Sequence, residues 1–125
     1  MSKMVLVVDD EEDIVFILKN VLEKKGYVVK DASTGEECLE ILKKEKPDLI
    51  IMDVMMPGID GWETTRRIKT DERTKGIPVS ILSVKSDPED RRKSLEYSLA
   101  DEHLSKPVDF DALLNTVELL LLRNN

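Results

Sequence analysis

The chain has 125 residues, 41% hydrophobic and 36% charged with few aromatics; this suits one domain of roughly 100 to 200 residues with an aliphatic core and excludes a disordered chain. A formal net charge of -7 excludes nucleic acid as a direct ligand, because phosphate binding needs clustered Lys and Arg, and Arg66-Arg67 and Arg91-Arg92-Lys93 read as solvated helix faces. The longest apolar run, at 119–122, is far short of the roughly 20 residues of a membrane span; with the short polar start "MSKM" and a lone Cys38, it points to a cytoplasmic protein without internal disulfides and without membrane contact.

From the N-terminus, residues 4–9 read as an apolar strand running into five consecutive acids, 9–13. Helix 1 follows, with Ile14, Ile17, Leu18, Val21 and Leu22 on one face and a stop before Gly26. Residues 27–31 predict strand 2, and the capping box Thr34-Gly35-Glu36-Glu37 starts helix 2, which buries Cys38, Leu39 and Leu42. Strand 3 spans 49–53, helix 3 follows Gly61, and strand 4 spans 79–83. Helix 4 begins at Ser86-Asp87-Pro88-Glu89, a second box with proline in the first turn. A weaker strand at 102–105 precedes helix 5, capped by Asp109, whose Leu113, Leu114, Val117, Leu120 and Leu121 face the core. Apolar strands alternating with amphipathic helices predict an α/β fold with helices on both faces of a parallel sheet.

In such sheets ligands gather at the carboxyl ends of the strands. Strand 1 ends on Asp9-Asp10, strand 3 on Asp53 and strand 4 on Ser83, and strand 5 runs into Lys106. Three ionised aspartates in one place repel each other and resist burial, so the site should raise pKa values or recruit a cation. Magnesium, with its preference for hard oxygen ligands, is the natural partner, and manganese the alternate ion. One of the carboxylates could then act as a nucleophile toward phosphorus, while Ser83 and Lys106 meet the phosphoryl oxygens. Each residue alone also has a plain structural reading, Asp9-Asp10 as a helix cap, Asp53 as a polar strand end and Ser83 as a loop hydroxyl; the joint placement favours the chemistry.

"VVDDEED", "DLIIMDVMMPGIDGWE", the serine ending strand 4 and "DEHLSKP" together resemble the receiver domain of two-component response regulators. The resemblance covers essentially the whole chain, in order and spacing. It implies a single receiver domain over 1–125, a doubly wound flavodoxin-like sheet of order 2-1-3-4-5, and Asp53 as phosphoacceptor. It further implies that Asp10, Asp53 and the backbone carbonyl of Met55 bind magnesium directly, with Asp9 acting mainly through water. Ser83 and Lys106 would grip the phosphoryl group, and Lys106-Pro107 would be a cis bond. Pro57, Gly58 and Gly61 fit the turn after the acceptor strand.

By the same resemblance, the phosphoryl group comes from a sensor histidine kinase or phosphotransfer protein. The output is a change on the face of helix 4, strand 5 and helix 5, read by a downstream protein from a monomer or weak homodimer. Such a domain catalyses only its own phosphorylation and dephosphorylation. The sequence departs from the pattern at His103, where the family has Tyr or Phe. That ring either performs the same inward rotation or, protonated near the usual value of about 6.5, opposes it. Val84 stands where a small residue is common and is expected to shield the phosphoryl site; Met55 and Lys85 occupy positions that tune phosphoryl lifetime. Leu99 replaces a frequent glycine, and Thr64-Thr65 a frequent leucine. Two alternatives stay open. A magnesium-dependent aspartyl-phosphate phosphatase would need an acid where Met55 stands, and a receiver-like binding module would have lost phosphorylation.

Overall fold

The computed structural model describes residues 2–123; Met1 and the last two asparagines, within the expected domain span, lie outside the described residues. Five strands alternate with five helices. They are β1 (Met4–Val8), α1 (Glu12–Lys24), β2 (Val28–Ala32), α2 (Gly35–Leu42), β3 (Leu49–Met52), α3 (Gly61–Thr70), β4 (Val79–Ser83), α4 (Pro88–Arg92), β5 (Glu102–Ser105) and α5 (Phe110–Arg123). A π-helical turn, Lys93–Tyr97, extends α4. The sheet is parallel throughout, in the order β2-β1-β3-β4-β5, so it is the doubly wound flavodoxin-like arrangement.

Side chains of a strand point alternately to opposite faces, and β1 shows this directly. Val5 and Val7 join Leu18 and Leu22 of α1 and Leu113, Val117 and Leu120 of α5 in one apolar cluster. Leu6 and Val8 join Cys38 of α2 and Trp62 and Ile68 of α3 in the other. The central strands are buried on both faces, whereas β2 has only Val29 and Ala32 buried, as an edge strand should. Burial pushes the Cys38 thiol up to about 12, so this residue is core rather than a reactive thiol. Lys69 of α3 ties the starts of β4 and β5. Its ammonium donates to Asp101 Oδ2 and the Ile77 carbonyl, each at 2.9 Å, and the same Asp101 oxygen accepts from Val79 N.

The structure corrects three local expectations. The buried stripe of α1 is Leu18 and Leu22 flanked by Ile14 and Val15, and Ile17 lies outward, 42% exposed. The stripe runs at i, i+4 and i+8, and position 17 falls on its solvent flank. Helix 4 takes Asp87 as its cap, with Asp90 returning the bond to the Asp87 N–H. The expected Ser86 cap stands one residue too early, and its hydroxyl is used elsewhere. At α2, Thr34 accepts from Glu37 N, but the Glu37 carboxylate returns to Ser33 N instead of Thr34. Asp109 caps α5 as expected, accepting from Ala112 N.

Candidate functional site at the carboxyl ends of the strands

Asp9 and Asp53 are the residues immediately after β1 and β3, and the sheet ladder carries on through their backbones. Asp53 N donates to the Val8 carbonyl at 2.9 Å and Asp9 N to the Ala32 carbonyl at 3.1 Å. Both side chains are buried, and Asp10 is exposed. The loop after Asp53 alternates buried Val54 and Met56 with outward Met55, so a short stretch of chain is pinned on one side. It closes against α3, where Gly61 N donates to the Val54 carbonyl at 2.8 Å. A Cβ at Gly61 would stand 1.9 Å from the Asp53 carbonyl oxygen; only glycine permits this approach.

One ligand oxygen from each of Asp9, Asp10 and Asp53 lies within 4.8 Å of the others. Lys106 reaches into the group from the end of β5. Its Nζ donates to Asp9 Oδ2 at 2.9 Å and to Glu11 Oε1 at 3.2 Å, and stands 3.5 Å from Asp53 Oδ1. Asp9 Oδ1 also accepts from Glu11 N, so both oxygens of Asp9 are engaged by the protein. Burial, then the neighbouring Asp9 charge, pushes the Asp53 carboxyl up to about 6, against the pull of Lys106. Burial alone would weaken the Lys106 ammonium, but the Asp9 hydrogen bond, the charges of Asp53 and Asp9 and the bond to Glu11 outweigh it and raise its pKa.

Ser83 is fully buried. Its Oγ accepts from Lys85 N at 3.1 Å, and its carbonyl accepts from both Lys106 N and the Ser86 hydroxyl. Val84 and Lys85 point outward, Val84 being 64% exposed and Lys85 Nζ standing 4.0 Å from Asp90. The Lys106–Pro107 peptide bond is cis. His103 pairs with Ile81 across the ladder and faces inward, 7% exposed. Burial, then the Arg91 charge, lowers its pKa below 6.5 against the opposing pull of Asp90, so the expected titration near the unperturbed value moves to lower pH. Two participants escaped the sequence reading. Glu11, there only one of five consecutive acids, reaches back to Lys106. Ser86, assigned to a cap, bonds the Ser83 carbonyl and the His103 ring. Both lie in stretches the sequence singled out, but for other roles, and only the packing of the segment before α4 against β5 reveals the second.

Residues 5–118 match the family model described as response regulator receiver domain. The chain belongs to that family. Receiver domains are phosphorylation-regulated signalling modules of two-component systems, not metabolic enzymes. Protein PilH of Pseudomonas aeruginosa is 36% identical over 117 residues, which are 94% of this chain and 96% of that protein. The alkaline phosphatase synthesis transcriptional regulatory protein PhoP of Bacillus subtilis is 40% identical over 99% of this chain, which spans half of that regulator's length. Among solved structures, the signal receiver domain of a histidine kinase from Syntrophus aciditrophicus superposes with a TM-score of 0.90 at 37% identity, covering 96% of this chain and 90% of that one. The chemotaxis response regulator CheY4 of Vibrio cholerae gives 0.88 at 30% identity, covering 96% and 99%. The receiver's acidic group consists entirely of hard oxygen donors, and burial together with the Asp9 charge raises the Asp53 pKa by more than Lys106 lowers it. Both properties fit a divalent cation such as magnesium.

Proposed function

We propose that this receiver is a phosphorylation-activated switch in which Asp53 accepts a phosphoryl group from the phosphohistidine of a sensor kinase or phosphotransfer protein. The observation that carries the reading is the convergence of Asp9, Asp10 and Asp53 beside Lys106, 3.5 Å from Asp53. In the transfer, the P–N bond to the donor imidazole breaks as a P–O bond to the Asp53 carboxylate forms, and the imidazole nitrogen takes up a proton. Asp10, Asp53 and the Met55 carbonyl would hold magnesium, with Asp9 in a supporting place because Glu11 N and Lys106 already occupy its oxygens. When bound, the ion supplies positive charge opposite the phosphoryl oxygens.

Lys106 contributes a fixed ammonium 3.5 Å from Asp53 Oδ1, and the Ser83 hydroxyl a hydrogen bond once it leaves Lys85 N. The phosphoryl group adds a charge of about −1.5 to −2 at pH 7, which draws Ser83 and Lys106 together and is relayed through His103 to the face of α4, β5 and α5. Leu95, Tyr97 and Leu99 lie exposed near it, and a downstream protein would read their arrangement. Val84 and Lys85, at the mouth of the site, set how freely water reaches the phosphoryl group. Incubating the protein with magnesium and acetyl phosphate should label the wild type but not Asp53→Asn. Equal labelling of the two, or multiple turnover of varied phosphoesters, would overturn the reading.

A further inference from the structure

The buried face of β5 carries a line of polar contacts that the acceptor chemistry does not require. Trp62 Nε1 of α3 donates to Ser94 Oγ at 2.9 Å, and Ser94 Oγ lies 2.7 Å from His103 Nδ1. His103 Nε2 lies 2.9 Å from Ser86 Oγ, which donates to the Ser83 carbonyl at 2.8 Å. That carbonyl also accepts from Lys106 N.

The two ends fix the direction of the whole line. An indole nitrogen only donates and a carbonyl only accepts. Ser86 therefore spends its one hydrogen on Ser83, and its oxygen must accept from His103 Nε2–H. A neutral ring with its proton on Nε2 has a lone pair on Nδ1, which takes the Ser94 hydroxyl hydrogen, and Ser94 Oγ in turn accepts from Trp62. Every donor is used once. A protonated ring would make Ser94 Oγ accept from both Trp62 and Nδ1–H, and the Ser94 hydroxyl hydrogen would then lack an acceptor, because among the described residues Ser94 Oγ bonds only Trp62 and His103. The charged groups around the ring are Arg91 and Asp90 of α4; Lys93 of the π-helical turn lies over the Trp62 indole. Arg91 also donates to the Ser86 carbonyl and to Ser105 Oγ, so the same helix end is tied to both sides of the line.

We infer that Ser86 and Ser94 are positioning residues: with neutral His103 they form a one-directional hydrogen-bond relay from Trp62 of α3 to the backbone that carries Ser83 and Lys106. The relay rests on the reading of Ser83 and Lys106 given above. It makes the inward orientation of His103 a property of two hydroxyls, and it carries a shift of the phosphoryl-gripping strand ends to the α3 and α4 surface.

Nitrogen-15 NMR of the His103 ring tests the geometry, and the Trp62 indole resonance tests the coupling. The wild type should show a single neutral tautomer with hydrogen on Nε2 at neutral pH, and magnesium with beryllofluoride should shift the Trp62 indole signal. Ser86→Ala should lower the Nε2–H to Nδ1–H ratio by up to about tenfold, the equivalent of one neutral hydrogen bond. It should also diminish the Trp62 response while beryllofluoride still binds. Ser86→Thr, which keeps the hydroxyl, should restore both, and Ser94→Ala interrupts the relay at a second point. A dominant Nδ1–H tautomer in the wild type, or an unchanged Trp62 response in Ser86→Ala, overturns the relay. Failure of the wild type to bind beryllofluoride while its ring shows Nε2–H overturns instead the role given to Asp53, and the coupling that rests on it.

Discussion

At the scale of single residues, the proposed acceptor site is electrostatically expensive to fold. Asp53 is held from its ordinary 3.8 up to about 6, and at about 1.4 kcal/mol per pH unit its ionisation costs the folded state about 3 kcal/mol at neutral pH. The folded form binds the proton more tightly, so this contribution to stability is fully present below pH 3.8 and is lost as pH rises through about 6. Asp53→Asn, measured by urea unfolding in EDTA at pH 7.5, should therefore be about 1 to 3 kcal/mol more stable than the wild type; equal or lower stability would show that Lys106 already balances the charge. His103 has the opposite sign. Its lowered pKa means that the unfolded chain takes the proton more readily, so its contribution is present above about 6.5 and is lost as pH falls through the folded value. An NMR titration of the ring should give a midpoint below 6.5, and a midpoint at or above it would contradict the burial argument. The acids, the serine and the lysine were legible in the sequence because each ends a recognisable strand. The part of Glu11 was not, since its reach to Lys106 depends on the entry angle of α1.

At the scale of elements, the sequence pattern located every strand and the starts of helices 2 to 5 to within a residue or two, because apolar runs and caps mark them. What it missed depends on tertiary packing. The π-helical turn Lys93–Tyr97 adds a residue to the backbone ring, and its sequence, KSLEY, carries no signal of that. Two residues after the turn stands Leu99, the one non-glycine residue with positive φ, 65°, among the described residues. Across this reversal Ala100 N donates to the Ser94 carbonyl at 2.9 Å. The expected glycine position thus has the left-handed conformation that suits glycine, filled by a leucine that is 41% exposed and loses little burial if removed. A left-handed L-residue costs roughly 1 to 2 kcal/mol, and added glycine freedom in the unfolded chain returns part of it. Leu99→Gly should therefore raise stability by about 0.5 to 1 kcal/mol. Thermal unfolding showing a loss would mean that the exposed side chain holds a contact worth more than the backbone relief. Thr65, buried and without a partner for its hydroxyl among the described residues, is a polar residue at an expected leucine position, and nothing in the structure explains it.

At the scale of the whole molecule, the switch needs several contacts acting together. Inverting a population from 1:99 to 99:1 takes about 5.5 kcal/mol of differential stabilisation, and one charge-assisted hydrogen bond contributes about 1.5 to 3. Ser83 and Lys106 share a backbone link through the Ser83 carbonyl, and the His103 line joins that link to α3 and α4. The sheet order made this arrangement accessible, since β4 and β5 are neighbours and β1 and β3 stand beside them; the order itself came from the family resemblance, because alternation of strands and helices does not fix which strands are adjacent. In the switch proposed above, everything downstream depends on a covalent event at one carboxylate. The most direct measurement is borohydride trapping of the acyl phosphate after incubation with acetyl phosphate, followed by peptide mass mapping. The account predicts a reduction product at position 53 when magnesium is present and none in EDTA. A product at Asp9 or Asp10, or trapping at position 53 that is indifferent to divalent cation, would contradict it.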